Sequence, residues 1–387
     1  MAEFQDIRTA GALGDGQTDD AGAFQSALDR GGAWFIPAGL YRIGSPLAVR
    51  SGTHIKADGG AVIRLGDGAL RGRGDYLLSG TGVRDVTVEG GTWDGNAPGN
   101  PRDPDMFAAD AFQGCMFSFR DARDLTLRNM TWRDPETFYI CLCETSDFLI
   151  EDIVFDSPHL RPNQDGIHMA GFCEHGVIRR LTGKNGSPND DIIAVNADDC
   201  HTRIGNQETV NGPIRDLTVE DVTAERCHTF VRIASIWSEV SDIRIRNLRG
   251  RFEAWGLNMD ALRYCRVPLV SPDSPEYREG VGHVRDVVLS DLHISRTDEN
   301  NDNPLLCLET DADNLTVENL TTESGCPAFL MRNTGRCRLT LEGAEHIESL
   351  SCSGGAEVNG DSIVKPVGGE VRLNRGGFRR LHITRED

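Results

Sequence analysis

The 387-residue chain is long enough for two or three ordinary domains or for one elongated repeat structure, and 39% hydrophobic content with 43 glycines indicates a globular protein rich in turns. Its net charge of −20 argues against nucleic acid and against an anionic membrane surface as partners. No run of 18 apolar residues is present to span a bilayer, and the start M-A-E-F-Q-D-I-R has neither a basic n-region nor an apolar h-region. Eleven cysteines, an odd number without C-x-x-C spacing, are scattered along the chain, several inside apolar strands (Cys141, Cys143, Cys307). Buried reduced thiols fit this better than a disulfide framework or a zinc site. A cytoplasmic location is expected, or a secreted one if a leader has been removed.

Residues 13–43 read as one amphipathic helix followed by short strands. Thr18 or Asp19 can N-cap a helix whose apolar face is Ala23, Phe24, Ala27 and Leu28, and Gly31-Gly32 stop it. Strand Trp34–Ile36 and the turn Pro37-Ala38-Gly39 follow. Such a helix is the N-terminal cap that a repeat array requires, because its first coil otherwise exposes the core end-on.

A recurring phrase then organises the chain. It reads R-D-V-T-V-E-G from Arg84, R-D-L-T-L-R-N from Arg123, S-D-F-L-I-E-D from Ser146 and E-H-G-V-I-R-R from Glu174. It returns as R-D-L-T-V-E-D from Arg215, S-D-I-R-I-R-N from Ser241, R-D-V-V-L-S-D from Arg285 and D-N-L-T-V-E-N from Asp313. The spacing is a unit of 23 to 28 residues carrying three longer insertions. Alternation of polar and apolar residues means strands, and a repeat of this length with polar turns is expected to form a parallel β-helix over residues 1–387. A propeller or a sandwich of hairpins would show hairpin turns at a much closer spacing.

A second set of short strands follows six of these phrases: I-C-L-C (Ile140), I-H-M-A (Ile167), I-I-A-V (Ile192), V-R-I-A (Val231), L-N-M-D (Leu257) and L-C-L-E (Leu306). First and third positions are apolar and should face inward. The second position should then face out, carrying Cys141, His168, Ile193, Arg232, Asn258 and Cys307. Asp165 precedes one of these strands, and the pair Asp190-Asp191 precedes the next, 25 or 26 residues later. One repeat apart means one coil apart, so three carboxylates are expected at one place on the outer face. The insertions Asn96–Phe112 and His201–Pro213 would wall a groove there. Carboxylates so close repel one another, which raises at least one pKa and supplies an acid beside a base, the two groups that glycosidic bond hydrolysis needs.

These segments resemble glycoside hydrolase family 28, the polygalacturonase family, within the pectin-lyase-like right-handed parallel β-helix superfamily. The opening L-G-D-G-Q-T-D-D with F-I-P-A-G-L-Y-R-I is similar to the cap and first coil found across that superfamily. N-Q-D-G-I (Asn163–Ile167) resembles the family's N-T-D-G, Asp190-Asp191 with I-I-A-V-N its D-D-C-I-A-I-N type segment, and V-R-I-A (Val231–Ala234) its R-I-K segment. The resemblance implies an inverting hydrolase in which Asp190 is the general acid and Asp165 and Asp191 activate the water. It also implies substrate contacts from Asn163, His168, His228, Arg232 and Asn258. The family's G-H-G motif has no counterpart in context, leaving His168, His201 and His228 as candidates for its place. Ala234 stands where the family has a lysine, which turns the expected substrate away from polygalacturonate.

The expected partner is therefore a carbohydrate, with no nucleic acid, no membrane, no cofactor and no metal. Two other classes fit the same fold. A polysaccharide lyase or epimerase would use a basic residue and often calcium, while a non-enzymatic glycan-binding β-helix would not require paired carboxylates on adjacent coils.

Overall fold

The computed structural model describes residues 3–105, 108, 110–199, 209–261, 271, 273–280, 282–297 and 305–321. It also describes the backbone of strands Phe329–Arg332, Cys337–Ala344, Leu350–Ser353, Val358–Pro366, Leu373–Asn374 and Phe378–Ile383.

The repeated phrase is a corner signal. Its second residue (Asp85, Asp124, Asp147, His175, Asp216, Asp242, Asp286 and Asn314) has φ between 54° and 57° every time. Five residues later Asn129, Asp152, Arg180, Asp221, Asn247 and Asp291 adopt φ of 55° to 59°. Asp and Asn tolerate this left-handed conformation better than other side chains, because their short polar groups bond locally. Each phrase is thus a strand between two sharp bends, and three strand faces make a coil.

Coils stack in parallel register. On the first face Leu125, Phe148, Gly176, Leu217, Ile243, Val287 and Leu315 are successive Cα partners. On the third face Ile140, Ile167, Ile193, Val231 and Leu257 align, and Leu306 follows Leu257. The result is a parallel β-helix, right-handed as parallel crossovers are in nearly all cases. Neighbouring strands lie about 4.8 Å apart, so equivalent side chains form ladders. Inside, Trp93, Phe117, Trp132, Phe155 and Tyr139 pack with ring centroids 5.0 to 5.8 Å apart. Outside, ion pairs such as Arg128–Glu89 and Arg215–Glu174 join successive coils, each of small worth because it is largely solvent-exposed, while Arg179 pairs with buried Glu151. Cys115, Cys141, Cys143, Cys173, Cys227 and Cys307 are buried and unbridged.

Two expectations need correction. The outward position on the third face of the middle coil is Ala194, not Ile193: Ile193 pairs with inward Ile167, and Ala194 with His168. The run I-I-A-V has no polar residue to set its phase, and all four side chains are buried. The helix spans Ala21–Arg30, one residue beyond Asp20. Thr18 does not cap it, because its backbone N–H and hydroxyl both donate to Asp15 (2.8 and 2.9 Å), while Asp19 accepts from Ala21 N at 3.1 Å.

Phe24, Ala27 and Leu28 of this helix are buried, and Phe24 meets Tyr41 edge-on at 5.4 Å. If the helix shields the first coil, Phe24→Ala should destabilise the protein by about 3–5 kcal/mol, as for other buried aromatic truncations. Thermal denaturation followed by circular dichroism measures this, and an unchanged melting temperature would place the shield elsewhere.

Candidate active site

The turn that leads into strand Ile167–Met169 is held from inside. Gln164 is fully buried, its Oε1 accepts from Arg161 N at 2.9 Å, and its Nε2 donates to the carbonyls of Pro135 (2.6 Å) and His159 (3.1 Å). Asp165 follows with no freedom to drift. Gly166 comes next because the coils touch there: its N–H donates to Asp191 O at 2.8 Å, and a Cβ would lie 2.5 Å from Ile192 O.

Register then does the assembling. Ile167 pairs with Ile193 and Ile193 with Val231, so the residues two positions earlier, Asp165, Asp191 and Thr229, lie on three successive coils. Asp190 and His228 lie one residue earlier still. His228 Nδ1 is 3.3 Å from Asp190 Oδ1, and the ligating atoms of Asp190, Asp191 and His228 fall within 4.8 Å of one another. That set offers oxygen and nitrogen ligands at a spacing a divalent cation could use.

Burial divides the three carboxylates. Asp165 and Asp191 are each 4% exposed, whereas the Asp190 side chain is 26% exposed and faces solvent. Burial raises the pKa of Asp165 well above the usual carboxylate range, and the Asp190 charge adds to it. Asp191 is raised in the same way, by burial first and then by Asp190 and Asp165. The charge of Asp165 thus bears on Asp191, so the two are not independent acids. Burial lowers the pKa of His228, but the hydrogen bond and charge of Asp190 outweigh it and leave a net rise.

Each expected substrate contact has a definite place. His168 is buried, its Nδ1 is 2.7 Å from Asp165 Oδ2, its Nε2 is 3.9 Å from Asp199 Oδ2, and its ring stacks on Phe138 at 4.1 Å. Arg232 stands two coils beyond His168 on the outward column, with Ala194 between them and buried Asn258 after it. Its Nε and terminal nitrogen both donate to Asp260, 2% exposed, at 3.1 to 3.4 Å. Asn163 is set apart: it is exposed at the turn with φ 63°, and its Oδ1 accepts from Arg102 at 3.3 Å. His201 and most of the segment expected to wall the groove after it lie outside the described residues.

Phe138 and Asp199 were not foreseen, and Asp260, which the repeat places one coil beyond Ala234, was not expected to bond Arg232. Asp198-Asp199 is a second D-D pair directly after N-A, a signal visible in the sequence once two carboxylates are known to matter.

The raised carboxylates have a measurable consequence. An acid with a raised folded-state pKa keeps its proton when the unfolded chain has lost it, so stability falls as pH rises above the ordinary carboxylate value of about 4. Asp191→Asn should therefore melt higher than the parent protein at pH 8, with the difference shrinking as pH approaches 4. A difference that is constant from pH 4 to 8 would contradict the raised pKa.

Comparisons with known proteins agree with this architecture. A family model described as rhamnogalacturonase A/epimerase, pectate lyase-like, matches residues 4–98. A probable polygalacturonase of Arabidopsis thaliana is 25% identical over 243 residues, covering 58% of this chain and 51% of the plant protein. A mannuronan C5-epimerase of Azotobacter vinelandii is 32% identical over 126 residues, 24% of this chain and 14% of the epimerase. The chain thus spans about half or less of the curated relatives it matches. Among solved structures, a family 28 exopolygalacturonase of Yersinia enterocolitica aligns over 99% of this chain and 78% of its own, with a TM-score of 0.63 and 14% identity. The chain is polygalacturonase-like and pectin-lyase-like in its fold, and the relatives with that fold include glycosidases.

Proposed function

We propose that the chain is a glycoside hydrolase that cleaves a poly- or oligosaccharide with inversion. The observation that carries this reading is the stacking of Asp165 and Asp191 on adjacent coils beside partly exposed Asp190. Burial and neighbouring charge favour the protonated form of Asp165 and Asp191, so the two do not both ionise readily. Asp190, the member most open to solvent, is assigned as the acid that gives its proton to the leaving-group oxygen. Of Asp165 and Asp191, one keeps its proton and the other, ionised, takes a proton from the attacking water. Of the two candidates among the described residues, His228, one coil beyond Asp190 and 3.3 Å from it, fits the place of the missing histidine motif better than His168; its hydrogen bond steadies the Asp190 carboxylate after proton transfer.

Replacing any one of Asp165, Asp190 or Asp191 by Asn removes an acid or base worth about 10²- to 10⁴-fold in rate. Each variant should lose turnover by that order while remaining folded, read by product release from the best substrate of a glycan panel and by melting temperature. Early proton NMR of the reaction should show the inverted anomer first. Wild-type rates in all three variants, or a retained anomer, would refute the assignment.

A second reading, a metal-dependent lyase or epimerase, is favoured by the ligand spacing of Asp190, Asp191 and His228. It predicts loss of activity on chelation and an unsaturated or epimerised product. Hydrolysis predicts neither.

Charge directs the substrate. A galacturonate polymer brings a carboxylate on every sugar, and each needs a cation to offset its desolvation. Arg232 is already bonded to Asp260, and the next outward position on its strand is Ala234. We expect slower cleavage of polygalacturonate than of a neutral glycan. Depolymerisation of polygalacturonate faster than every neutral substrate in a reducing-end assay would overturn this.

A further inference from the structure

Two large aromatic side chains are exposed on the turns that leave the third face, one on the coil of His168 and one on the coil of Arg232. Phe172 is 49% exposed and Trp237 is 41% exposed. The other four tryptophans (Trp34, Trp93, Trp132 and Trp255) are buried, at 5% exposure or less.

Both turns are built to present these rings. Asp198, itself 4% exposed, accepts at Oδ2 from the backbone N–H of Ile236, Trp237 and Ser238, each at 2.7 Å, and at Oδ1 from Ser238 Oγ at 2.6 Å. Ser235 Oγ adds a bond to Ser238 O at 2.7 Å and accepts from His283 N at 2.9 Å. A buried carboxylate committed to three consecutive N–H groups fixes the direction in which Trp237 leaves the turn. Phe172 has φ 64°, a conformation costly for a bulky non-glycine residue. Its N–H donates to Pro213 O at 2.9 Å, and its ring lies so close over Gly212 that a Cβ there would sit 2.3 Å from it. The backbone is strained and a side chain is omitted below, while the ring remains half in water.

The same dipeptide ties the Trp237 turn to the candidate site. Asp198 holds the turn, and the adjacent Asp199 reaches to 3.9 Å from His168 Nε2. Phe172 follows His168 by four residues and Trp237 follows Arg232 by five. Two coils separate the rings, about 10 Å along the helix axis. A pyranose chain has alternating apolar faces formed by its axial C–H groups, and a rigid aromatic face is the natural surface for them.

We propose that Trp237 and Phe172 are stacking platforms for a neutral pyranose chain running along the helix axis beside the carboxylate cluster. This rests on the glycan-cleaving reading of that cluster and specifies the substrate class: uncharged sugars held by ring faces more than by cations.

The test uses the full-length chain carrying Asp190→Asn, titrated with cellohexaose, xylohexaose and mannohexaose. Binding of at least one should change tryptophan emission, since Trp237 is the exposed fluorophore. By isothermal titration calorimetry, adding Trp237→Ala should weaken that sugar roughly five- to tenfold, while Trp237→Phe keeps most of the affinity. Phe172→Ala should weaken it less and leave the emission change in place. The proposal is overturned if no hexasaccharide binds, if Trp237→Ala binds as well as its parent, or if the unsubstituted chain self-associates in sedimentation and Trp237→Ala makes it monomeric. If the unsubstituted protein binds these sugars through Trp237 yet hydrolyses none, the platform stands and the hydrolytic reading falls.

Discussion

The parallel register between coils is the constraint on which the rest depends. A coil can bury its apolar residues only if each inward position lies over the inward position of the coil before it, and a slip of one residue would turn every side chain over. Ile167, Ile193 and Val231 are locked in this way. Asp165 and Asp191 are carried along, two residues ahead of the lock. Their proximity is a consequence of core packing, and the core supplies the energy that holds like charges together.

That arrangement sets the electrostatics. Asp165, Asp191 and Asp260 are all buried, and burial is the leading cause of the raised pKa of each. Among the described residues, the cations that act on Asp165 and Asp191 are Arg232 and His228. Arg232 lowers the pKa of all three, yet its hydrogen bonds go to Asp260. The site therefore retains protons and has little positive charge to offer a ligand. Among the described residues, those two properties support the proposed acid–base chemistry on an uncharged molecule over the capture of an anion.

Much of this was legible in the sequence. The phrase with Asp at its second position could be read as a repeat because bends need a left-handed residue, and Asp and Asn supply it at little cost. Asp165 and Asp191 could be placed together because the repeat length matches their separation. What stayed hidden depended on phase or on distant partners. The all-apolar Ile192–Val195 run gave no phase, so Ala194 was missed as the outward residue. The repeat places Asp260 one coil beyond Ala234, but its bonds to Arg232 run diagonally between columns and are visible only in three dimensions. Asn163, although part of the N-Q-D-G segment, is drawn aside by Arg102, 61 residues earlier in the chain. Asp198 and Asp199 carry no spacing that marks them out, and their different duties emerge only from the fold.

Stacking and burial hold the carboxyls of Asp165 and Asp191 well above the usual carboxylate range, and the chemistry proposed for the site depends on this. That elevation is tested most directly by a carbon-13 NMR titration of the protein labelled at aspartate carboxyls, with signals assigned through the three Asn variants. The account predicts that Asp165 and Asp191 titrate well above the usual carboxylate value of about 4, and that each curve shifts when the other residue is replaced. Two independent curves with midpoints near 4, unmoved by either substitution, would contradict it.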